Sequence, residues 1–244
     1  MKSLDKVFSI LELVSNMGGN SVTPNVVATE LGLNGATCVR FMKYLSKQGY
    51  LEQISRQKGY VVGPASLTFA DRQSRYSQII DASEDPIRRL ANLLNNHINI
   101  SILYNRMRYL LYFYSCHTKK ASGAKRLEFT YDVATSRLLL SACSKEERDE
   151  VIKHVGMPGK YWDDINERKT LMKALEKVRS KVCISFPEPT TGQMIVGGLI
   201  IVDGFPPAAI GFGIAGNDPT EALQLTAETV KAIEQNLEQK EIFF

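Results

Sequence analysis

Residues 34–63, NGATCVRFMKYLSKQGYLEQISRQKGYVVG, read as a helix followed directly by a hairpin. Asn34 is a strong helix-capping residue, and Cys38, Phe41, Met42 and Leu45 recur at helical spacing until Gly49 ends the run. Residues 50–55 and 60–62 then read as two strands joined by Arg56-Gln57-Lys58-Gly59, a turn with glycine near its end. Working upstream, Thr23-Pro24 places a cap before proline at the first helical position, where its missing N–H costs nothing. That short helix carries Val27 and Leu31 inward and stops at Gly32. Before it, Ser3 caps a helix with Leu4, Val7, Phe8, Leu11 and Val14 on its apolar positions, ending at Gly18-Gly19. Three helices and a basic-tipped hairpin predict a winged helix-turn-helix.

The charge distribution agrees. The 244 residues carry 30 Lys+Arg and 26 Asp+Glu, for a net charge of +4. Residues 33–63 hold five basic side chains (Arg40, Lys43, Lys47, Arg56, Lys58) and one acidic (Glu52), so they account for all of that excess. A neutral protein carrying one basic module makes nucleic acid the first partner to test. With 38, 41, 42 and 45 inward, Asn34, Gly35, Ala36, Thr37, Arg40, Lys43 and Tyr44 lie on the outward face and first turns of the third helix. In a helix-turn-helix that face enters the major groove, where Arg40 suits a bidentate contact to guanine and Thr37 a hydroxyl or methyl contact. Lys43, Lys47, Arg56 and Lys58 are placed for phosphates.

Other classes are disfavoured. At 44% hydrophobic and 23% charged the chain reads as globular. No window approaches the ~18 apolar residues of a membrane span. Met1-Lys2-Ser3-Leu4-Asp5 lacks a charged-then-apolar signal pattern, and Cys38, Cys116, Cys143 and Cys183 form no close pair. A reducing cytoplasmic location is expected, without membrane association.

Ser3-Leu4-Asp5-Lys6, Ile10-Leu11, Val27-Ala28, Leu31-Gly32-Leu33, Thr37, Arg40, Leu45, Gln48-Gly49-Tyr50-Leu51 and Gly59-Tyr60-Val61-Val62-Gly63-Pro64 together resemble the IclR family of bacterial transcription regulators. The resemblance thins in the rest of the chain. It departs at one point that matters for DNA: the family usually has Pro, a basic residue and Ser before the Thr, and here stand Asn34-Gly35-Ala36. Losing that cation and hydroxyl removes a phosphate or base contact.

Beyond the module, residues 65–80 are expected to form a connecting helix that also pairs in a dimer, and Asp85-Pro86 to start the next. Two strand-like runs, 98–104 and 109–115, surround Asn105-Arg106-Met107-Arg108. Helices are expected at 135–142, 145–155, 169–181 and from Asp218-Pro219 to about 239, with strands at 194–202 and 208–214. The domains are therefore a winged helix-turn-helix at 1–63, a linker helix at 64–84 and an α+β domain of helices on an antiparallel sheet at 85–244.

Resemblance implies that this last domain is the family's GAF-like effector-binding domain, which binds a small organic acid and contributes to oligomerisation. Relatives commonly carry a Cys and a Ser-x-Ser lining the pocket. Following Glu188, Gly192 and Ala208-Ala209-Ile210, those positions fall on Ile195, Gly211 and Gly213, while the family's Gly-Lys becomes Ser136-Arg137. The pocket is thus expected to have diverged. It would hold a larger or less polar ligand in the space left by Gly211 and Gly213, with Ser136, Arg137 or His117 supplying polarity. The alternative for the glycines is close backbone packing in a strand.

Three motifs fail their structural requirements. Gly211-Phe212-Gly213-Ile214-Ala215-Gly216 matches a dinucleotide fingerprint, but the helix signal comes only after its last glycine. Cys116-His117 has no third ligand at metal spacing, and neighbours on a strand point to opposite faces, so they cannot share a proton. Tyr109, Tyr112, Phe113 and Tyr114 alternate as a strand covered on both sides. No catalytic set, metal site or cofactor is expected.

The expected function is a dimeric or tetrameric DNA-binding repressor whose binding to a palindromic double-stranded operator is modulated by a small organic-acid-like metabolite. An alternative is a regulator that has lost its ligand and acts through a protein partner or constitutively.

Overall fold

The computed structural model describes residues 3–69, 74–188 and 190–240. The chain divides into two compact units, Met1–Arg72 and Gln73–Phe244.

In the first unit, α1 (Ser3–Ser15), α2 (Pro24–Glu30) and α3 (Gly35–Lys47) precede the hairpin β1 (Leu51–Ser55) and β2 (Gly59–Val62). Thr23 occupies the N-cap of α2 in extended backbone, although its side chain makes no cap hydrogen bond. Asn34 does cap α3, its Oδ1 accepting from the N–H of Ala36 at 3.0 Å and of Thr37 at 3.3 Å. Ile10, Val14, Val27, Cys38, Met42, Leu45, Leu51 and Tyr60 form one core. Phe41 is only partly buried against it, and Leu4 and Phe8, expected on the inward stripe of α1, are 70% and 61% exposed. Gly59 holds φ +88°, and a Cβ there would lie 2.2 Å from the Val22 carbonyl oxygen. That close approach lets Val22 and Tyr60 bond reciprocally, each N–H donating at 2.9 Å, and ties the wing to the segment between α1 and α2.

The connection differs from the expected single helix over 64–84. Residues Pro64–Phe69 form a short 3-10 helix held to the first unit, with Phe69 stacked on Tyr50 at 5.4 Å between centroids and Ser66 Oγ donating to the Tyr50 carbonyl. Residues 70–73 of the expected linker lie outside the described residues. One helix, α4 (Arg75–Leu93), then starts at its cap Ser74 and runs through the point where a new helix was expected. Pro86 sits inside it, buried. Proline cannot donate to the carbonyl four residues back, that of Ala82. That carbonyl instead accepts from Asn236 Nδ2 at 2.9 Å, while Ile79, Ala82, Ile87 and Leu90 continue one buried stripe.

The second unit is built on an antiparallel sheet with strand order β5-β4-β3-β9-β8-β7, β6 also pairing β4. Its strands are β3 (His97–Tyr104), β4 (Met107–Ser115), β5 (Lys120–Ser122), β6 (Lys125–Leu127), β7 (Cys183–Pro187), β8 (Met194–Ile200) and β9 (Ala208–Ile214). Its further helices are α5 (Ala134–Ala142), α6 (Lys145–Val155), α7 (Arg168–Arg179) and α8 (Thr220–Glu238). The β3–β4 turn is tighter than expected: only Asn105 and Arg106 form it, both at positive φ, and Met107 and Arg108 join the strand.

The pleat sends alternate residues to two cores. Ile98, Ile100, Val196, Ile210 and Phe212 pack with Ile87, Leu90, Val230 and Ile233 of α4 and α8. Leu199 and Ala209 face Leu138, Leu171, Leu175 and Trp162 on the side of α5–α7. Tyr112 and Tyr114 are buried on the α4 side, while Phe113 faces the other way and stacks on His97. Among the described residues no helix is long and apolar enough to cross a membrane.

Candidate nucleic-acid interface and ligand site

The cap and the buried positions of α3 determine what it presents. With Cys38, Met42 and Leu45 at 0–4% exposure, Arg40, Lys43, Tyr44 and Lys47 stand exposed on the opposite face. Asn34, Gly35 and Ala36 are exposed at its first turn, with Thr37 half-buried beside them. Arg40 lies 5.3 Å from the centroid of the Phe41 ring, and Arg56 and Lys58 are exposed at the hairpin tip. Nothing lies within 4 Å of a Cβ built on Gly35, so the departure from the usual basic residue is chemical, not steric. All ten expected nucleic-acid residues therefore belong to one unit: eight on α3 and its cap, two on the wing.

The expected ligand residues do not form one pocket. Ile195 on β8 pairs with Gly213 on β9, and Gly211 and Gly213 share the sheet face below α5. The space above both glycines is taken. A Cβ on Gly211 would lie 2.7 Å from Thr135 Cγ2, and one on Gly213 would lie 2.6 Å from Gln193 Nε2. The larger cavity expected there is absent, because a threonine methyl and a glutamine side chain occupy what the missing hydroxymethyl groups vacate. His117 is exposed and meets the edge of His97, 5.4 Å between ring centroids. Cys116 turns its Sγ to Asn95 Oδ1, so the Cys-His pair does not converge on a common ligand.

A polar cluster surrounds the start of α5 instead. Arg108 Nη1 donates to Thr135 Oγ1 at 2.7 Å, and Asn99 Nδ2 donates to the Gly211 carbonyl at 2.5 Å. Burial pulls the Arg108 guanidinium below its ordinary range, and the carboxylate of Asp132 pulls it partly back. Arg108 Nε, Asp132 Oδ1 and Ser136 Oγ are buried without a hydrogen-bond partner among the described residues. Buried orphan donors and acceptors are costly, about 1–3 kcal/mol each, so such a cluster favours a polar occupant. Arg108, Asp132 and Thr135 escaped sequence reasoning because they are scattered along β4, a loop and a helix start. Pairing of β4 within the sheet brings them together.

Arg137 leaves this cluster for the other side of α5. Its Nε and Nη2 donate to the carbonyls of Tyr131 at 2.8 Å and Tyr161 at 2.7 Å. Its guanidinium carbon sits 3.4 Å from the centroid of Phe186 and 4.6 Å from that of Trp162. Burial lowers its pKa to about 10 against the opposing pull of Asp163 and Asp132, so it stays charged near neutrality. The thiols of Cys143 and Cys183 are pushed up to about 12 and about 11, chiefly by burial, and are poor nucleophiles.

No family model matches the chain. It is 25% identical over 103 residues to the HTH-type transcriptional regulator BhcR of Paracoccus denitrificans, a match spanning 42% of this chain and only 36% of that protein. Among solved structures, an IclR homolog from Microbacterium hydrocarbonoxydans, complexed with 4-hydroxybenzoate, superposes with a TM-score of 0.78. Its identity is 18%, and 98% of this chain and 100% of that one are covered. An IclR transcriptional regulator from Alicyclobacillus acidocaldarius gives a TM-score of 0.71 at 14% identity, covering 98% of each chain. The chain has the fold of the IclR regulators along nearly its whole length.

Proposed function

We propose that the protein is a sequence-specific DNA-binding transcription regulator of the IclR type, acting as a repressor and not as an enzyme. The observation that carries this reading is the exposed basic face of α3, flanked by a basic wing and backed by a packed three-helix core. Arg40 and Thr37 read base edges, and Lys43, Lys47, Arg56 and Lys58 hold phosphates. Asn34, Gly35, Ala36 and Tyr44 complete the surface against the duplex. A homodimer or homotetramer presents two such modules to a palindromic operator with half-sites about 10 bp apart or a multiple of that. A small organic acid bound by the second unit shifts the populations of module arrangements and so the affinity for operator.

The polar cluster at the start of α5 supports an acid-binding role, with Ser136 as its contribution from the residues expected at the outset. The filled space above Gly211 and Gly213 favours a second reading, in which this sheet face binds no effector and control comes from a protein partner or is constitutive.

Fluorescence anisotropy with the duplex upstream of the protein's own gene, with and without a metabolite extract, tests the first reading. A saturable complex is expected that discriminates against scrambled duplex. Arg40→Ala should cost about 1–3 kcal/mol of that discrimination. Equal binding of both duplexes by the wild-type protein rejects sequence-specific regulation.

A further inference from the structure

Between α7 and the edge strand β7 lies a cavity of about 510 Å³ that reaches Arg137. The arginine is only 5% exposed. Its planar faces lie against Trp162 and Phe186, and two of its three nitrogens are tied to backbone carbonyls. The third, Nη1, carries no hydrogen bond among the described residues, and the arginine lines the cavity. A guanidinium held this rigidly, with one donor edge unpaired, is arranged for an acceptor that comes from outside the chain.

The cavity walls are consistent with that. Lys173, Lys177 and Lys181 follow one another at four-residue intervals along α7 and just beyond it, and all three line the cavity. None is in an ion pair among the described residues. Asp163 is the one carboxylate in the lining. Ile165, Val178 and Ile184 add apolar wall to the same lining. A lining that combines Arg137 and three lysines with apolar and aromatic surface matches a ligand that is charged twice and apolar in its body.

We infer that this cavity is a binding site for an organic dianion with a flat apolar body, one anionic group meeting Arg137 Nη1 and the second the lysines of the lining. The site is separate from the Arg108–Thr135 cluster and from the faces of Gly211 and Gly213. The inference goes beyond the regulatory reading and does not depend on it, since it concerns occupancy of the second unit whether or not DNA binding responds.

Trp162 is the only tryptophan in the chain and forms part of the site, so its emission reports occupancy directly. The full-length protein is titrated with benzene-1,3-dicarboxylate, with benzoate and inorganic pyrophosphate as comparators. The dicarboxylate should change Trp162 emission saturably, with a Kd below about 1 mM and at least about tenfold below that of benzoate. The double variant Lys173→Ala/Lys177→Ala, which changes only exposed side chains, should weaken it about tenfold. Lys153→Ala, an exposed cation on α6 that does not line the cavity, should leave it unchanged. Absence of a saturable change up to about 10 mM overturns the site, as does equal binding by the double lysine variant. Binding of pyrophosphate as tight as that of the dicarboxylate overturns the assigned ligand class, since the apolar body would then contribute nothing.

Discussion

Gly35 offers a direct test of the proposed DNA-binding face. It is exposed at the first turn of α3, where IclR-type sequences usually carry a basic residue, and a Cβ there meets nothing within 4 Å. Gly35→Arg should therefore be accepted without rearrangement and add one cation beside the phosphates. One added phosphate contact steepens the dependence of log K on log salt by about 0.9. The advantage of the variant should then fall by a factor of about 3.5 between 50 and 200 mM salt, four raised to that power. Removing glycine from the helix adds up to about 1 kcal/mol of helix stability, but a cation at a helix N-terminus costs about 0.3–1 kcal/mol. The two nearly cancel, so the gain should appear in DNA binding and not in stability. Anisotropy titrations at three salt concentrations, on operator and scrambled duplex alike, read the slope. Gly35→Ala controls for backbone entropy and should keep the wild-type slope, while Gly35→Glu should flatten it. An unchanged slope for Gly35→Arg would refute the placement of the α3 N-terminus against the DNA backbone.

Three further outcomes follow from the packing. Asn236→Ala should cost about 1–3 kcal/mol by orphaning the Ala82 carbonyl. In a Pro86→Ala background the restored backbone N–H should cut that to under about 0.5 kcal/mol, and additive costs in denaturant unfolding followed by Trp162 would disprove the compensation. Gly211→Ala forces a methyl 2.7 Å from Thr135 Cγ2 and should destabilise the second unit by about 1–3 kcal/mol. Thr135→Ser, which removes that methyl, should recover most of the loss; no recovery would mean the contact is not the cause. The Glu188 carboxyl is held at about 2 by hydrogen bonds from Thr191 and Thr190. Its contribution is present above the ordinary value of 4.5 and lost as pH falls through about 2. The melting-temperature difference between wild type and Glu188→Gln should therefore be flat above pH 4.5 and shrink towards pH 2; a constant difference would rule this out.

The sequence by itself determined the first unit almost completely. Asn34 as a cap, Pro24 at a first helical position and Gly59 in the turn are local instructions, acting through hydrogen bonds and backbone angles within a few residues. Helical periodicity likewise determined which face of α3 is free. In the second unit α6 and β9 were legible to the residue, because each is a single unbroken pattern between clear stops. The short strands β5 and β6 are mostly polar, and β7 ends in proline; all three form because a neighbouring strand offers its edge. Only the tertiary structure could continue α4 through Pro86, since the group that satisfies the freed carbonyl lies 154 residues away. It also decided the fate of the ligand residues. Gly211 and Gly213 signalled space, but Thr135 and Gln193 fill it. Arg137, one turn of α5 from Ala134, points instead to a cavity whose other walls, Trp162, Lys177 and Phe186, are brought to it by the packing of α7 and β7 against the sheet.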